Sequence, residues 1–547
     1  MHDDYRAALL AAGLQEVGEL VERPSWADVA FGIEGTMVVA GERIRVGVGL
    51  AEDFPSSLPK VYIVSGLNAR IPHIDRKGFV CTAESEGTLH DARLDSDLIT
   101  ETIDGARVVI EDGLLQRNGQ DFLVEAEAYW AGGTSVVGVL DGTDVACKIA
   151  VAYSDGGKLL AVANTPTDAE SRIPSLRGAR WRDGLYLPLD AERTKTAHPD
   201  RFAEWPGRLF EELTTDAQAL TQGYRVSAGQ TFVLVIGIPR PSGGRALIGL
   251  RLEKFPHHDR LLCAKPTVVH RVSIDRYDPA RTLERAPRSR PNRIAVIGCG
   301  AVGGHVAHAL AWSGARELVL VDPDGYDGGN TYRHPLGRTG WPYPTKVAGL
   351  AAQLSAGLPD LAVTPLPMSA DAAFASHGDL LRQSDAIVIA IGNPSVPLHL
   401  NDELAERSFA CPVVFTWLEP YGIGGHAALI RYGCPGCFRC LFRDEPQLRN
   451  AVDFAAPGQS FARRELGCHG SFTPYGDLDA RETGLLASRL TLTAIQTPSH
   501  PGTLRSWRGD AASFRAAGYR TSARFDGFQA GQDEILMPYL GCTCCGR

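Results

Sequence analysis

The first quarter of the chain combines an amphipathic N-terminal helix with short apolar strands that are separated by glycine and proline turns. The predicted strands are residues 29–35, 36–50 and 60–66. Helical periodicity returns after the strands, at residues 97–115 and 121–130. A helix, a strand meander and closing helices together predict an α+β domain over residues 1–131.

The next part of the chain, residues 132–285, has a weaker pattern. Its predicted strands are residues 134–140, 145–153, 158–164, 231–239 and 245–253, with a helix near 206–221. We find no catalytic spacing in this part, so we expect a structural middle domain of α/β type that links its neighbours.

From residue 293 onward, strand and helix patterns alternate. The apolar runs RIAVIG, ELVLVD and DAIVIAIG predict buried strands, and helices are predicted between them. This alternation predicts a parallel, doubly wound, Rossmann-like sheet in residues 286–547. The whole chain is therefore predicted to be a multidomain α/β protein.

The composition and net charge of the chain exclude several classes of protein. The 547 residues are 44% hydrophobic and 22% charged, as in an ordinary globular protein of roughly two to four domains. A net charge of −9 without a dense Lys/Arg run argues against direct nucleic-acid binding. The sequence shows no secretory signal and no apolar run long enough to cross a bilayer, so we expect a cytoplasmic protein that does not act at a membrane.

A glycine-rich turn marks a candidate nucleotide site. Gly298, Gly300 and Gly303 form G-x-G-x-x-G between a predicted strand and a predicted helix, where backbone N–H groups can hold phosphate. Asp322 ends the next strand and is placed to bond ribose hydroxyls. Up to this point an NAD-dependent oxidoreductase fits equally well.

The following segment favours phosphate chemistry over hydride transfer. Asn330, Arg333 and Lys346 follow Asp322 at offsets of 8, 11 and 24 residues, which adds two cations to the site. Attack of a carboxylate on an α-phosphate builds negative charge that Arg and Lys can stabilise while pyrophosphate leaves.

These motifs, GCGAVGG, VDPD, N-x-x-R and the later Lys, closely resemble the ThiF/ubiquitin-activating family of adenylating enzymes. The resemblance implies ATP as cosubstrate, Asp322 on ribose, Asn330 and Arg333 on the triphosphate, Lys346 as a phosphate clamp, and a homodimer. The family usually has an Asp for Mg²⁺ after the next strand, where this chain has Gly392. Asp324 or Asp327 could assist with Mg²⁺, although both also suit a turn.

Eight of the 12 cysteines lie between Cys411 and Cys545. Cys437 and Cys440, paired with Cys542 and Cys545, would form a tetrahedral Zn²⁺ site that holds the C-terminal tail. The family resemblance supports this set. Cys434 and Cys544 are competing candidates, and unmetallated thiols are the alternative.

Cys468 stands apart from these pairs, ahead of a long helical pattern. Its position resembles that of the loop cysteine of the activating family, which attacks the acyl adenylate to give a thioester. A nearby helix start or His469 would lower the pKa of this thiol. The alternative is an ordinary loop cysteine.

In the first domain, IPHIDRKGFVC resembles the active-site segment of ubiquitin-conjugating enzymes. The match aligns Pro72, Gly78 and the acceptor Cys81 without gaps, and flanking FP-x-x-x-P and DFLVEAEAYW strengthen it. His73 stands where the family has Asn, and its ring could supply the N–H donor for an oxyanion.

The full arrangement resembles the fused enzymes of bacterial antiphage signalling (CBASS) operons. The resemblance implies adenylation of the C-terminal glycine of a partner, a cGAS-like nucleotidyltransferase or a ubiquitin-like protein. Thioester transfer from Cys468 to Cys81 and conjugation to a target amine would follow. The alternatives are a sulfur-carrier adenylyltransferase of the thiamine or molybdopterin type, which leaves Cys81 unused, and a non-catalytic nucleotide-binding scaffold.

Overall fold

A computed structural model describes most of the chain. The described residues are 2–20, 29–82, 91, 93–131, 133–194, 209–241, 243–261, 263, 266–277, 291–358, 360–443, 448–464 and 471–545. They form two compact units, residues 1–278 and 279–547. The predicted boundary between residues 285 and 286 lies outside the described residues.

The first unit begins with an antiparallel sheet in which neighbouring strands are also consecutive in sequence. Its strands are Gln15–Glu19, Phe31–Val39, Glu42–Leu50, Lys60–Ser65 and Phe79–Val80. The helices around it are His2–Ala11, Asp95–Leu114, Asp121–Val124 and Ala126–Trp130. The core lies between this sheet and the long Asp95–Leu114 helix, whose apolar stripe contributes Ile99, Ile103 and Ile110.

The rest of the first unit is a closed barrel of mixed parallel and antiparallel strands. In order around the barrel the strands are Phe232–Pro239, Arg245–Glu253, Val268–Arg276, Thr134–Val139, Leu159–Ala163, Cys147–Tyr153 and Arg180–Pro188. Short helices accompany it, at Pro166–Arg172, Leu209–Glu212 and Thr215–Gly223. The predicted middle α/β domain is thus mainly β structure, and two of its strands, Arg180–Pro188 and Val268–Arg276, were not predicted.

The second unit is built on an eight-stranded sheet. In spatial order its strands are Ala362–Leu366, Glu317–Val321, Arg293–Ile297, Ala386–Ile389, Val413–Leu418, Gly424–Ile430, Thr503–Arg508 and Glu534–Ile535. The first five strands are parallel and the last three are antiparallel additions. The strands that follow Arg293–Ile297 in sequence are first added on one side of it, and from Ala386–Ile389 onward they are added on its other side. The crevice at such a switch point is where doubly wound sheets bind ligands.

Helices cover both faces of this sheet, as the two buried clusters on either side of it show. The helices are Ala301–Trp312, Lys346–Gly357, Ala370–Ser376, Gly378–Arg382, Ser395–Glu406, Asp477–Gln496, Ala512–Ala516 and Ala523–Gly527. Within the described part of the chain, no helix has both the length and the apolar character needed to cross a bilayer.

Candidate nucleotide, thiol and metal sites

The glycine-rich turn connects the strand Arg293–Ile297 to the helix Ala301–Trp312. Gly298 has φ +85°, a conformation that favours glycine, and Gly300 precedes the first turn of the helix. A Cβ on Gly303 would lie 1.7 Å from the carbonyl oxygen of Gly298. The turn is therefore tight enough to require glycine and leaves the helix N-terminus available for a phosphate.

Asp322 lies at the end of the neighbouring strand and is buried. Its two carboxylate oxygens accept the backbone N–H groups of Cys299, at 2.6 Å, and Asp324, at 2.8 Å. Burial raises the pKa of this carboxyl group. Asp322 is thus fixed directly against the glycine-rich turn, and its contact with ribose stays a prediction.

Lys346 begins the helix that follows the Asn330 segment, and it is almost completely buried. Its ammonium group lies 2.8 Å from a carboxylate oxygen of Asp324, whose carbonyl oxygen also accepts the Lys346 backbone N–H at 3.1 Å. Asp324 therefore connects Lys346 to the loop that carries Asp322.

Asn330 is buried, and its side-chain amide donates to the carbonyl oxygen of Asp327. The Arg333 guanidinium lies 5.1 Å from the centre of the Tyr475 ring. Its buried Nε has no hydrogen-bond partner among the described residues. Arg333 therefore retains hydrogen-bonding capacity for an anionic ligand.

His334 was not predicted as part of the site. It is buried, its Nδ1 accepts the Leu336 N–H at 3.2 Å, and its Nε2 donates to the Cys299 carbonyl oxygen at 2.9 Å. Burial lowers the pKa of His334 to about 4, so the ring is neutral at ordinary pH. His334 holds the Asn330–Arg333 segment against the glycine-rich turn, and its position next to Arg333 could have drawn attention to it.

Gly392 and Asn393 follow the strand Ala386–Ile389, and Asn393 accepts the backbone N–H of Ser395. No carboxylate is therefore present at the position where the family usually has its Mg²⁺ ligand. Of the two alternative acids, Asp324 binds Lys346 and Asp327 accepts the N–H of Gly329.

A cavity of about 730 Å³ lies beyond the ends of the strands Ala386–Ile389 and Val413–Leu418. Glu419, in its wall, accepts a 2.8 Å hydrogen bond from the completely buried His426 and also accepts the N–H groups of Phe454 and Ala455. These bonds hold the wall of the cavity.

The four cysteines predicted to bind metal converge in space. Their sulfur atoms all lie within 4.8 Å of one another. The separations are 3.8 Å for Cys437–Cys440, 3.6 Å for Cys437–Cys542 and 3.2 Å for Cys440–Cys545. Tetrahedral zinc with Zn–S bonds of about 2.3 Å needs sulfur atoms roughly 3.8 Å apart, so this set fits the ion.

The competing cysteines are placed differently. Cys434 is exposed, and the sulfur of Cys544 accepts a 3.4 Å hydrogen bond from the side-chain amide of Asn401. Asn401 also accepts the backbone N–H of Phe438, which lies between the first two cysteines of the cluster. Asn401 therefore supports the cluster from outside.

Cys81 is exposed at the end of a short hairpin in the first unit. Its backbone N–H donates to the carbonyl oxygen of His73 at 2.8 Å, and His73 has φ +64°. Both nitrogens of the His73 ring already contact carboxylates: Nε2 lies 3.0 Å from Asp121 and Nδ1 lies 2.9 Å from Glu125. The predicted donation of a ring N–H to an oxyanion would require one of these bonds to break.

Cys468 and His469 lie outside the described residues, so the predicted loop nucleophile stays a prediction. Of the residues predicted to bind nucleotide, Asp322 and Lys346 lie in segments that contacts connect to the glycine-rich turn. Hydrogen bonds join the glycine-rich turn to Asp322 and to His334, and backbone and ion-pair contacts join the Asp322 loop to Lys346.

The fold and these residues define a protein that carries an adenylation-type Rossmann-like domain and a ubiquitin-conjugating-type domain in one chain. Residues 282–487 match the ThiF family, and residues 23–136 match prokaryotic E2 family B. The chain therefore contains a ThiF domain in its C-terminal part and a prokaryotic E2 family B domain in its N-terminal part. The predicted resemblance and fold class are confirmed.

Two curated relatives are similar to this chain over most of their length. The chain is 24% identical over 482 residues to the ATP-dependent ubiquitin transferase-like protein Cap2 of Pseudomonas aeruginosa, covering 81% of this chain and 84% of that protein. It is 22% identical over 523 residues to Cap2 of Escherichia coli, covering 84% and 86%. Among solved structures, E. coli MccB is 14% identical over 47% of this chain and 67% of that chain, with a TM-score of 0.32.

Proposed function

We propose that this protein uses ATP to adenylate the C-terminal glycine of a partner protein and relays the acyl group through Cys468 and Cys81 to a target amine. The observation that carries the proposal is the hydrogen-bonded cluster of Asp322, Lys346 and the Arg333 loop around the glycine-rich turn. A dehydrogenase has no use for two cations at that position, whereas adenylation does.

In the first step, a carboxylate oxygen of the partner attacks the α-phosphorus of ATP, and the bond to the β-phosphate breaks. The glycine-rich turn and Asp322 bind the nucleotide, while Arg333 and Lys346 stabilise the charge on the departing pyrophosphate. Lys346 would have to exchange its contact with Asp324 for phosphate, or share it.

In the second step, the Cys468 thiolate attacks the acyl carbon and AMP leaves. The Cys81 thiolate then attacks the resulting thioester, which frees Cys468, and a target amine finally attacks the Cys81 thioester to form an amide. Each sulfur atom therefore gains and loses one acyl bond in a cycle.

Two metal ions belong to the proposal. Zn²⁺ bound by Cys437, Cys440, Cys542 and Cys545 would attach the C-terminal tail to the domain. Mg²⁺ would accompany the ATP phosphates and offset their charge, and either Asp324, which pairs with Lys346, or Asp327 could contact it.

The partner is proposed by resemblance. The relatives carry the name ATP-dependent ubiquitin transferase-like protein, which supports a partner with a ubiquitin-like C-terminus. We extend this to a cGAS-like nucleotidyltransferase or a ubiquitin-like protein, to a role in antiphage defence, and to a cytoplasmic homodimer.

In the test, the purified full chain is incubated with ATP and a carrier protein that ends in glycine. ATP–pyrophosphate exchange and the mass of cysteine adducts are then measured. We expect Cys468→Ala to retain exchange but lose every thioester, and Cys81→Ala to retain the Cys468 thioester but lose conjugates. Cys263→Ala removes another exposed cysteine and serves as the control.

The alternatives give different results in the same experiment. A sulfur-carrier adenylyltransferase would be unaffected by Cys81→Ala, and a nucleotide-binding scaffold would show no pyrophosphate exchange. Either outcome would refute the proposed relay and favour the corresponding alternative.

A further inference from the structure

The helical stretch 121–130, which we call the bridging segment, presents two faces with different contacts. Asp121, Glu125 and Tyr129 are four residues apart and lie on one face. Leu123, Ala126 and Trp130 lie on the opposite face and pack into the apolar core of the barrel. The segment thus joins the conjugating-type domain to the barrel within the first unit.

The first face encloses His73. The ring contacts Asp121 at 3.0 Å and Glu125 at 2.9 Å, and the Tyr129 hydroxyl accepts the His73 backbone N–H at 2.5 Å. The same hydroxyl donates to Glu125 at 2.6 Å. Three side chains of one helical face therefore fix both the ring and the backbone of one residue.

The second face is attached to the barrel by polar as well as apolar contacts. The Trp130 indole N–H donates to the carbonyl oxygen of Gly249 at 2.9 Å, and Trp130 is 1% exposed. One oxygen of Glu127 accepts the Leu247 N–H at 2.9 Å, and the other lies 2.8 Å from Arg240. These bonds fix the bridging segment against the barrel.

His73 in turn fixes the hairpin that carries Cys81. Its carbonyl oxygen accepts the Cys81 N–H at 2.8 Å, and the next residue, Ile74, pairs with Val80. The positive φ of His73 is uncommon for a residue other than glycine, so contacts on both its ring and its N–H are needed to keep it.

We propose that His73 is a positioning residue, held as a cation between Asp121 and Glu125, and that the barrel-anchored bridging segment sets the position of Cys81 through it. This assigns the middle barrel a role as the support of the acceptor cysteine. The inference rests on the proposed function only in treating Cys81 as a thioester acceptor.

The test uses the full chain and a synthetic peptide whose C-terminal glycine is a mercaptoethanesulfonate thioester. Transfer to Cys81 releases the small thiol, and added lysine then releases the peptide as an amide. Both rates are followed by mass spectrometry of the protein, so neither ATP nor Cys468 is needed. Cys263 reports unassisted transfer to an exposed thiol.

The decisive comparison is between two substitutions of His73. His73→Asn restores the residue found in conjugating enzymes but removes the cation, and we expect it to slow discharge to lysine about ten- to hundredfold. His73→Arg retains a cation between the two carboxylates and should recover part of that loss. If His73 acted as an oxyanion donor, His73→Asn would supply an amide N–H in its place and discharge at the wild-type rate or faster, which would overturn the inference.

Two further variants separate positioning from folding. Trp130→Phe retains an aromatic ring but removes the bond to Gly249, and we expect slower Cys81 discharge at a temperature where a thermal melt shows the first unit, which contains Trp130, still folded. His270→Gln removes a histidine that pairs with Glu253 on the barrel, and it should leave discharge unchanged. Equal discharge in wild type, His73→Asn and Trp130→Phe would refute the positioning role. Wild-type transfer no faster at Cys81 than at Cys263 would refute the acceptor role itself.

Discussion

Removing the charge of His73 should loosen the Cys81 hairpin in a pH-dependent way. Hydrogen bonding to Glu125, together with Asp121, raises the pKa of His73 from 6.5 to about 9. A rise of that size corresponds to roughly 3 kcal/mol of preference for the charged ring in the folded protein. Because the side chain is 28% exposed, solvent screening reduces this value, and we expect about 1–2 kcal/mol.

The sign follows from the direction of the pKa change. Stability from the charged ring is fully present below pH 6.5, since the ring is then charged in both the folded and the unfolded chain. It is lost as pH rises through about 9, where the folded ring gives up its proton. The pKa of Tyr129 is raised by burial and by Glu125, so the tyrosine stays neutral throughout this window.

Hydrogen exchange of the peptide that contains residues 71–81 measures this opening locally, without requiring a global two-state transition. At pH 7, His73→Gln should exchange about 5- to 30-fold faster than wild type, the factor that corresponds to 1–2 kcal/mol. The ratio should approach one at pH 10. Comparing the two proteins at each pH cancels the intrinsic pH dependence of exchange. Equal rates at pH 7, or a ratio that stays constant up to pH 10, would refute the reasoning.

Three other predictions concern the second unit. Gly303→Ala should abolish nucleotide binding measured by calorimetry, because its Cβ would meet the Gly298 carbonyl oxygen. Nucleotide binding equal to wild type would contradict this, since it would show that the turn can relax. Lys346→Ala should lower pyrophosphate exchange about 100-fold or more, and the exposed Arg338→Ala is its control. Cys440→Ser should remove bound zinc measured by elemental analysis and lower the melting temperature, whereas Cys434→Ser should do neither; retention of zinc in Cys440→Ser would exclude the four-cysteine site.

The parallel sheet was predictable because its strands are buried on both faces. Continuous apolar runs such as RIAVIG and ELVLVD predicted strands that the structure places at Arg293–Ile297 and Glu317–Val321. The barrel was not predictable in the same way. The strand Arg180–Pro188 begins with exposed polar residues, and the closure of a barrel depends on pairings between distant parts of the chain.

The proximity of Asp322 and Lys346 to the glycine-rich turn was predictable from the sequence, but the individual contacts were not. Spacing brought Asp322 and Lys346 together with the glycine-rich turn, whereas the pairing of Lys346 with Asp324 and the tautomer of His334 depend on loop geometry. A contact between two individual loop residues cannot be predicted from hydrophobic periodicity, because it produces no repeating pattern in the sequence.

The Cys81 hairpin shows that a gapless motif match does not define the contacts of the residues it aligns. The match aligned Cys81 with the acceptor position and His73 with the Asn position, and the His73 ring was expected to supply an N–H donor for an oxyanion. Asp121 lies 48 residues further along the chain, in a segment whose opposite face packs on the barrel, so its contact with His73 belongs to the tertiary structure. A histidine at an asparagine position therefore gained a different set of contacts, and the sequence of the hairpin alone contains no information about them.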